Sequence, residues 1–207
     1  MQETDIDNPV KGWTDFLLPY KFAIDEVRTK LNILNEEFQI GHDYNPIEHI
    51  KTRLKKPSSI IKKLEKKHKE VTYENARQHV RDIAGVRVIC SFITDIHKVL
   101  EMICSQDDVK VIQIKDYVKN PKPSGYQSIH AIIEIPVYLS SGPQRVKVEV
   151  QIRTIAMEFW ASLEHKIYYK YQKEIPASTK QRLKETADIV FALDSKMLAL
   201  REEIEKF

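Results

Sequence analysis

The sequence predicts an α+β protein, a β-sheet flanked by helices. Three observations carry that prediction. Long stretches at both ends repeat apolar residues at three- and four-residue steps, the middle holds β-branched runs bounded by turn residues, and one of those runs passes directly into a helical pattern.

From Trp13 the residues Phe16, Leu17, Tyr20, Ile24, Val27, Leu31, Leu34 and Phe38 mark one amphipathic helix, ended near Gly41 by the turn residues Asp43 to Pro46. A second helix is expected over Ile47 to Leu54. A third follows Pro57, capped by Ser58 or Ser59 and running to about Lys67, and a short one covers Tyr73 to Arg81. Val86 to Phe92 reads as a buried strand. Thr94 or Asp95 then caps a helix reaching about Ser105.

Val109 to Val118, Ile129 to Val137 and Arg145 to Thr154 read as strands with one covered face. In the last, Val146, Val148, Val150 and Ile152 alternate with Lys147, Glu149, Gln151 and Arg153, so period two gathers the polar set on one face. Ser140 to Pro143 forms the hairpin between the last two strands. After Thr154 a helix begins, with Trp160 and Leu163 expected toward the core. Ile175 and Pro176 break the chain before a terminal helix. That helix carries Leu183, Val190, Met197 and Ile204 on one line and Leu193, Leu200 and Phe207 on another. Apolar stripes at both ends exceed what one small sheet can cover. They predict either a homo-oligomer through these helices or packing of the two helices on each other.

Composition narrows the function. A chain of 207 residues that is 42% hydrophobic and 30% charged, with net charge +3, is an ordinary globular protein, not a disordered or collagen-like one. No run has the length and apolarity of a membrane span, and Met1 to Pro9 is acidic and polar, unlike a signal peptide, so a cytoplasmic protein without membrane contact is expected. Cys90 and Cys104 read as core thiols, since two cysteines outside any C-x-x-C pair build neither a disulfide scaffold nor a redox motif. The five glycines, Gly12, Gly41, Gly85, Gly125 and Gly142, fit neither G-x-G-x-x-G nor G-x-x-x-x-G-K-[ST]. If nucleotides bind here, side-chain cations and metal must meet the phosphate charge.

Several constellations suit that task. Lys51, Arg53, Lys55, Lys56, Lys62, Lys63, Lys66, Lys67 and Lys69 crowd one stretch, opposed only by Glu65. Alone, such a run also describes a solvated face or a nucleic-acid contact. Asp82 stands just before the strand carrying Arg87, where an aspartate is commonly a turn residue. Glu149 changes that weighting, because two carboxylates from one sheet can hold a magnesium ion that bridges phosphate oxygens, and one can accept a proton from a hydroxyl. Lys122-Pro-Ser-Gly-Tyr126-Gln-Ser-Ile-His130 is a cationic turn that leaves Tyr126 as an exposed stacking platform, unless that tyrosine is core.

Arg53-Leu-Lys55 with Ser59 and Lys63, Asp82-Ile-Ala-Gly-Val-Arg87, Lys115-Asp-Tyr117, Lys122 through His130, and Glu149-Val-Gln-Ile-Arg153-Thr154 together resemble the (p)ppGpp synthetase domain of RelA/SpoT proteins. The likeness covers nearly the whole chain. Its length, its terminal helices and the segment Ala156 to Lys166 resemble a small alarmone synthetase, nearer the RelP/YwaC type than the RelQ type, with no room for hydrolase or ribosome-sensing domains. Departures from the RelQ pattern fall at His49, Lys51, Gln127 and Glu158, and the added Glu158 carboxylate disfavours an anionic effector.

The resemblance implies a polymerase-β-like nucleotidyltransferase fold with a mixed sheet. It divides a single 1–207 domain into an N-terminal helix (10–40), a catalytic core (41–172) and a C-terminal helix (176–207). The implied activity is that of a GTP pyrophosphokinase, moving pyrophosphate from ATP to the 3′-hydroxyl of GDP or GTP, with Mg2+ as cofactor and without hydrolase activity, in the stringent response. By the same likeness Arg53 and Arg87 sandwich adenine, while Lys55, Ser59 and Lys63 hold ATP phosphates. Asp82 ligates magnesium, and Glu149 shares the metal or activates the hydroxyl. Tyr126 stacks on guanine, and Lys115, Lys122, His130 and Gln151 position the acceptor. A homotetramer through the terminal helices is also implied. The competing readings are a single-strand RNA-binding module and another nucleotidyltransferase.

Overall fold

A computed structural model describes residues 9–170 and 176–206. The acidic start before Pro9, the break at Ile175 and the stripe position Phe207 lie outside the described residues. The elements run α1 (Pro9–Gly41), β1 (Ile47–Leu54), α2 (Pro57–Lys66), α3 (Tyr73–His79), β2 (Ala84–Cys90), α4 (Ile93–Cys104), β3 (Lys110–Asp116), β4 (Ile129–Leu139), β5 (Gly142–Thr154), α5 (Ile155–Lys170) and α6 (Ala177–Ile204).

The strands form one sheet in the order β1-β2-β5-β4-β3, with β2 and β5 parallel and every other neighbour antiparallel, so the sheet is mixed. Alternation along β5 decides its orientation. Val146, Val148, Val150 and Ile152 are buried in the main core, where Phe16, Tyr20, Ile24, Val27 and Leu31 of α1 and Ile96, Val99 and Ile103 of α4 cover the sheet. The odd-numbered residues of β5 point the other way. The β4–β5 hairpin turns on Ser140 and Ser141, and Gly142 there takes φ +111°, a conformation other side chains rarely adopt.

Several expectations are corrected. Ile47 to Leu54 is an edge strand, not a helix. Ile47, Ile50 and Leu54 imitate a helical step because the register is irregular between Ile47 and His49. Beyond that irregularity Ile50 and Leu54 pack against the core while Lys51 and Arg53 alternate with them, a strand pattern stabilised by pairing with β2. Neither Ser58 nor Ser59 caps α2: Lys56 is the cap residue and Pro57 fills the first helical position, where its missing N–H costs nothing. Likewise α4 starts after Phe92, and Asp95 sits inside the first turn accepting the Phe92 backbone N–H at 3.0 Å.

Trp160 is buried as expected, in a small cluster with Ala161 and Ala187, but Leu163 is exposed because that cluster takes only one side of α5. Helix α6 packs on α5 and α4. It leaves Ile189, Leu193, Met197, Leu200 and Ile204 exposed. Cys90 and Cys104 are free thiols, and burial raises both above the ordinary thiol range. No helix among the described residues is long and apolar enough to cross a membrane.

Candidate active site

Sheet register assembles the polar face. Across the five strands Lys51 pairs with Arg87, Arg87 with Gln151, Gln151 with His130, and His130 with Lys115. One step along the strands, Arg53 pairs with Gly85, Gly85 with Glu149, and Glu149 with Ile132. Cross-strand partners share a face, so two adjacent rows carry Arg53, Arg87, Lys115, His130, Glu149 and Gln151, half of the site residues singled out from the sequence. Gly85 contributes no side chain, which leaves open space beside Arg53 and Glu149.

Two cavities open on this face. The first, of about 430 Å³, is lined among others by Lys63, Arg81, Lys115, Tyr117, Lys122 and His130. The second, of about 400 Å³, is lined by Lys51, Thr52, Arg53, Gly85, Val86, Arg87 and Gln151. Asp82 and Glu149 line both. The two carboxylates therefore stand where the cavities adjoin.

Each carboxylate is held as an anion. Asp82, in the turn before β2, accepts a 2.9 Å hydrogen bond at Oδ2 from Lys55 Nζ. Lys63 Nζ lies 2.8 Å from Oδ1 as an ion pair, so each oxygen of Asp82 faces an ammonium group. Burial pushes the Asp82 carboxyl up, and Lys63 and Lys55 outweigh it, leaving the group below the ordinary carboxylate range. Burial also works against the Glu149 anion. His130 Nδ1 at 3.5 Å from Oε1 and a 2.8 Å hydrogen bond from Gln151 Nε2 to Oε2 overcome that burial and the like charge of Asp82, and Glu149 is lowered too.

The loop after β3 is fixed from both sides. Gly125 takes φ +87° and sits against Ala187 of α6 so closely that a Cβ there would collide with the Ala187 methyl. Tyr126 is half-buried and not the exposed platform expected, because Arg153 Nη2 donates to its hydroxyl at 2.8 Å and that hydroxyl is 2.8 Å from His130 Nε2. Lys122 Nζ lies 4.5 Å from the Tyr126 ring centroid and 4.7 Å from that of Tyr117. Tyr117, not Tyr126, is the aromatic residue that lines the first cavity.

Other placements differ in detail from the sequence reading. Gln151, expected among the acceptor contacts, lines the second cavity beside Arg53 and Arg87 while holding Glu149. Ser59 lines neither cavity, and Lys55 is engaged with Asp82. Arg87 is joined to Glu158 by hydrogen bonds of 3.0 and 3.3 Å.

A model described as "Region found in RelA / SpoT proteins" matches residues 52–174, which span β1 to the end of α5 and hold every residue of both cavities except Lys51. The chain belongs to the RelA/SpoT family. It is 47% identical over 97% of its length to the GTP pyrophosphokinase YwaC of Bacillus subtilis, covering 96% of that protein. The crystal structure of small alarmone synthetase 2 from Bacillus subtilis is 48% identical with a TM-score of 0.84, covering 92% of this chain and 98% of that one. Small alarmone synthetase 1 of the same organism, bound to its product pppGpp, is 37% identical with a TM-score of 0.87, covering 94% of this chain and 98% of that one.

Within this RelA/SpoT fold the sequence reading assigned no role to Tyr117, Arg81 and His79 in the first cavity or to Arg153 behind the second, and marked Glu158 there only as a departure from the RelQ pattern. Tyr117 and Arg153 lie in the motifs that carry the family resemblance, which marks them. The pairing of Glu158 with Arg87 has no such signal, because the two stand 71 positions apart.

Proposed function

We propose that the protein is a GTP pyrophosphokinase that transfers pyrophosphate from ATP to the 3′-hydroxyl of GDP or GTP, releasing AMP and forming ppGpp or pppGpp. The observation that carries this reading is the pair of cationic cavities meeting at Asp82 and Glu149. A reaction joining two nucleotides needs one cavity for each and anionic groups where they meet.

In this reading the second cavity takes the donor, with Arg53 and Arg87 against adenine, and Lys55, Ser59 and Lys63 serve the phosphate chain. The first takes the acceptor through Lys115, Lys122 and His130, with Tyr117 as the aromatic wall in place of Tyr126, which stands behind His130. Gln151 orients Glu149. Glu149 accepts the proton of the 3′-hydroxyl as its oxygen bonds to the β-phosphorus, and the bond from that phosphorus to the α-bridging oxygen breaks with AMP as leaving group. Alignment and neutralisation of charge dominate such a transfer, which suits a site built from fixed cations.

The donor set fits Mg2+. Among the described residues no group of three metal-ligating side chains exists, but two carboxylates that both line the two cavities suit an ion completed by substrate phosphates and water. Bound there by Asp82 and Glu149, the ion would neutralise charge on the transferred phosphoryl oxygens.

The exposed apolar residues of α6 support a homo-oligomer, and we take 1–207 as one domain assembling as a tetramer through its terminal helices. ATP and GTP as substrates suit work in the cytoplasm, in the stringent response. Purified protein incubated with ATP, GDP and Mg2+ should yield ppGpp and AMP. Nucleotide-monophosphate transfer with release of pyrophosphate would instead indicate another nucleotidyltransferase. Salt-sensitive RNA binding without either product would favour the RNA module suggested by the Lys51 to Lys69 run.

A further inference from the structure

Three cations converge on one carboxylate beside the second cavity. Glu158, in the first turn of α5, accepts hydrogen bonds at Oε1 from Arg87 Nη1 (3.0 Å) and Lys51 Nζ (3.4 Å) and at Oε2 from Arg153 Nη1 (3.1 Å). Its side chain is 14% exposed, and it lines neither cavity. Arg87 does line the donor cavity, and its side chain is 35% exposed. Arg153 is the opposite case, 4% exposed and tied by Nη2 to Gln151 Oε1 and Tyr126 Oη at 2.8 Å each.

The asymmetry decides what the carboxylate does. Arg153 is buried and hydrogen-bonded to Glu158, Gln151 and Tyr126, although its Nε, like that of Arg87, has no partner, whereas Arg87 has solvent on one side. Among the described residues its guanidinium hydrogen-bonds only to Glu158, with Nε buried and unpartnered. Two like charges thus share one anion, and the Arg87 charge works against the Arg153 cation. Without the anion they repel, and the one free to leave is Arg87.

Resting on the pyrophosphokinase reading above, we propose that Glu158 is a positioning residue for the donor nucleotide. It transmits the fixed position of Arg153 to Arg87 and aims that guanidinium into the donor cavity without touching the nucleotide. A charge-assisted hydrogen bond holds an arginine plane in one orientation, which a stacking contact on adenine requires.

The test varies ATP and GDP separately in Glu158→Gln and Glu158→Asp, alongside calorimetric binding of the α,β-methylene analogue of ATP to the full chain. For Glu158→Gln we expect the KM for ATP and the Kd of the analogue to rise about tenfold, with kcat at saturating ATP and the KM for GDP within about twofold of the parent. Glu158→Asp keeps the charge with a shorter reach and should fall between the two, and it carries the test if the glutamine variant fails to fold. An unchanged KM for ATP, an equal loss for both nucleotides, or a fall in kcat alone overturns the proposal. If the parent binds the analogue but makes no ppGpp, the pyrophosphokinase reading fails, and the analogue's Kd still decides the role of Glu158.

Discussion

The two faces of β5 make opposite use of the same backbone. On one, Val148, Val150 and Ile152 are at most 1% exposed and belong to the apolar core formed with α1, α4 and the neighbouring strands, so burial stabilises them. On the other, Glu149, Gln151 and Arg153 form a hydrogen-bonded series that continues to Tyr126 and His130, and His130 Nδ1 lies 3.5 Å from Glu149 Oε1. The contrast teaches that the polar face is ordered before any ligand arrives. Each anion already has cations, Asp82 with Lys55 and Lys63, Glu158 with Arg87 and Arg153. A bound polyphosphate exchanges partners with groups held in place, and little of the site has to be built on binding.

The largest separation of the two faces is expected from Glu149→Gln. Removing the proton acceptor should lower kcat by about 10³-fold while the thermal melting transition stays cooperative, as measured by product chromatography and circular dichroism. Activity near that of the parent would take Glu149 out of the chemistry. Asp82→Asn should lose activity to a similar extent and weaken the response to added Mg2+. Chelation of metal in the parent should abolish product formation, and Mg2+ should restore it.

Ile152→Ala is the converse experiment one residue from Gln151. Its side chain is fully buried, so truncation should cost about 3 kcal/mol of folding free energy. The activity of the fraction that remains folded should be unchanged. A selective loss of activity without destabilisation would mean that the two faces are mechanically coupled, contrary to the comparison. Next in size is Tyr117→Ala, expected to raise the KM for GDP about tenfold, in the range of a stacking contact on one base. Tyr126→Phe keeps the ring and removes the hydroxyl held by Arg153 and His130, and because Tyr126 does not line the cavity its effect should be only a few-fold.

The apolar face was the more legible in the sequence. Period two in β5 located both the core valines and the opposed Glu149, and the core stripe of α1 was readable from Phe16 to Leu31. The polar face was legible where a single strand or motif presents it, and illegible where register supplies the neighbour. Lys51 and Arg53 carry the right chemistry, yet they sit on a segment whose irregularity at Ile47 to His49 imitates a helix, and only pairing with β2 sets them beside Arg87. Tyr126 reads as an exposed loop residue because the Arg153 and His130 that hold its hydroxyl arrive from β5 and β4. Helix α6 has the opposite failing. Its stripe is plain in the sequence, but what the stripe covers is not written in its period.

The smallest expected effect, in acid, tests the comparison most directly. Asp82 and Glu149 are both held below their ordinary ranges by neighbouring cations and hydrogen bonds. A depressed carboxyl contributes stability that is present above its unfolded pKa, about 4 for these side chains, and that is lost as pH falls through the lower folded value. The parent should therefore lose stability below about pH 4 more steeply than the double variant Asp82→Asn, Glu149→Gln, as followed by chemical denaturation at stepped pH. Ile152→Ala should lower the whole profile without changing its slope, because nothing it removes titrates. Parallel profiles for parent and double variant would show that the charge balance of the polar face is not a property of the folded state.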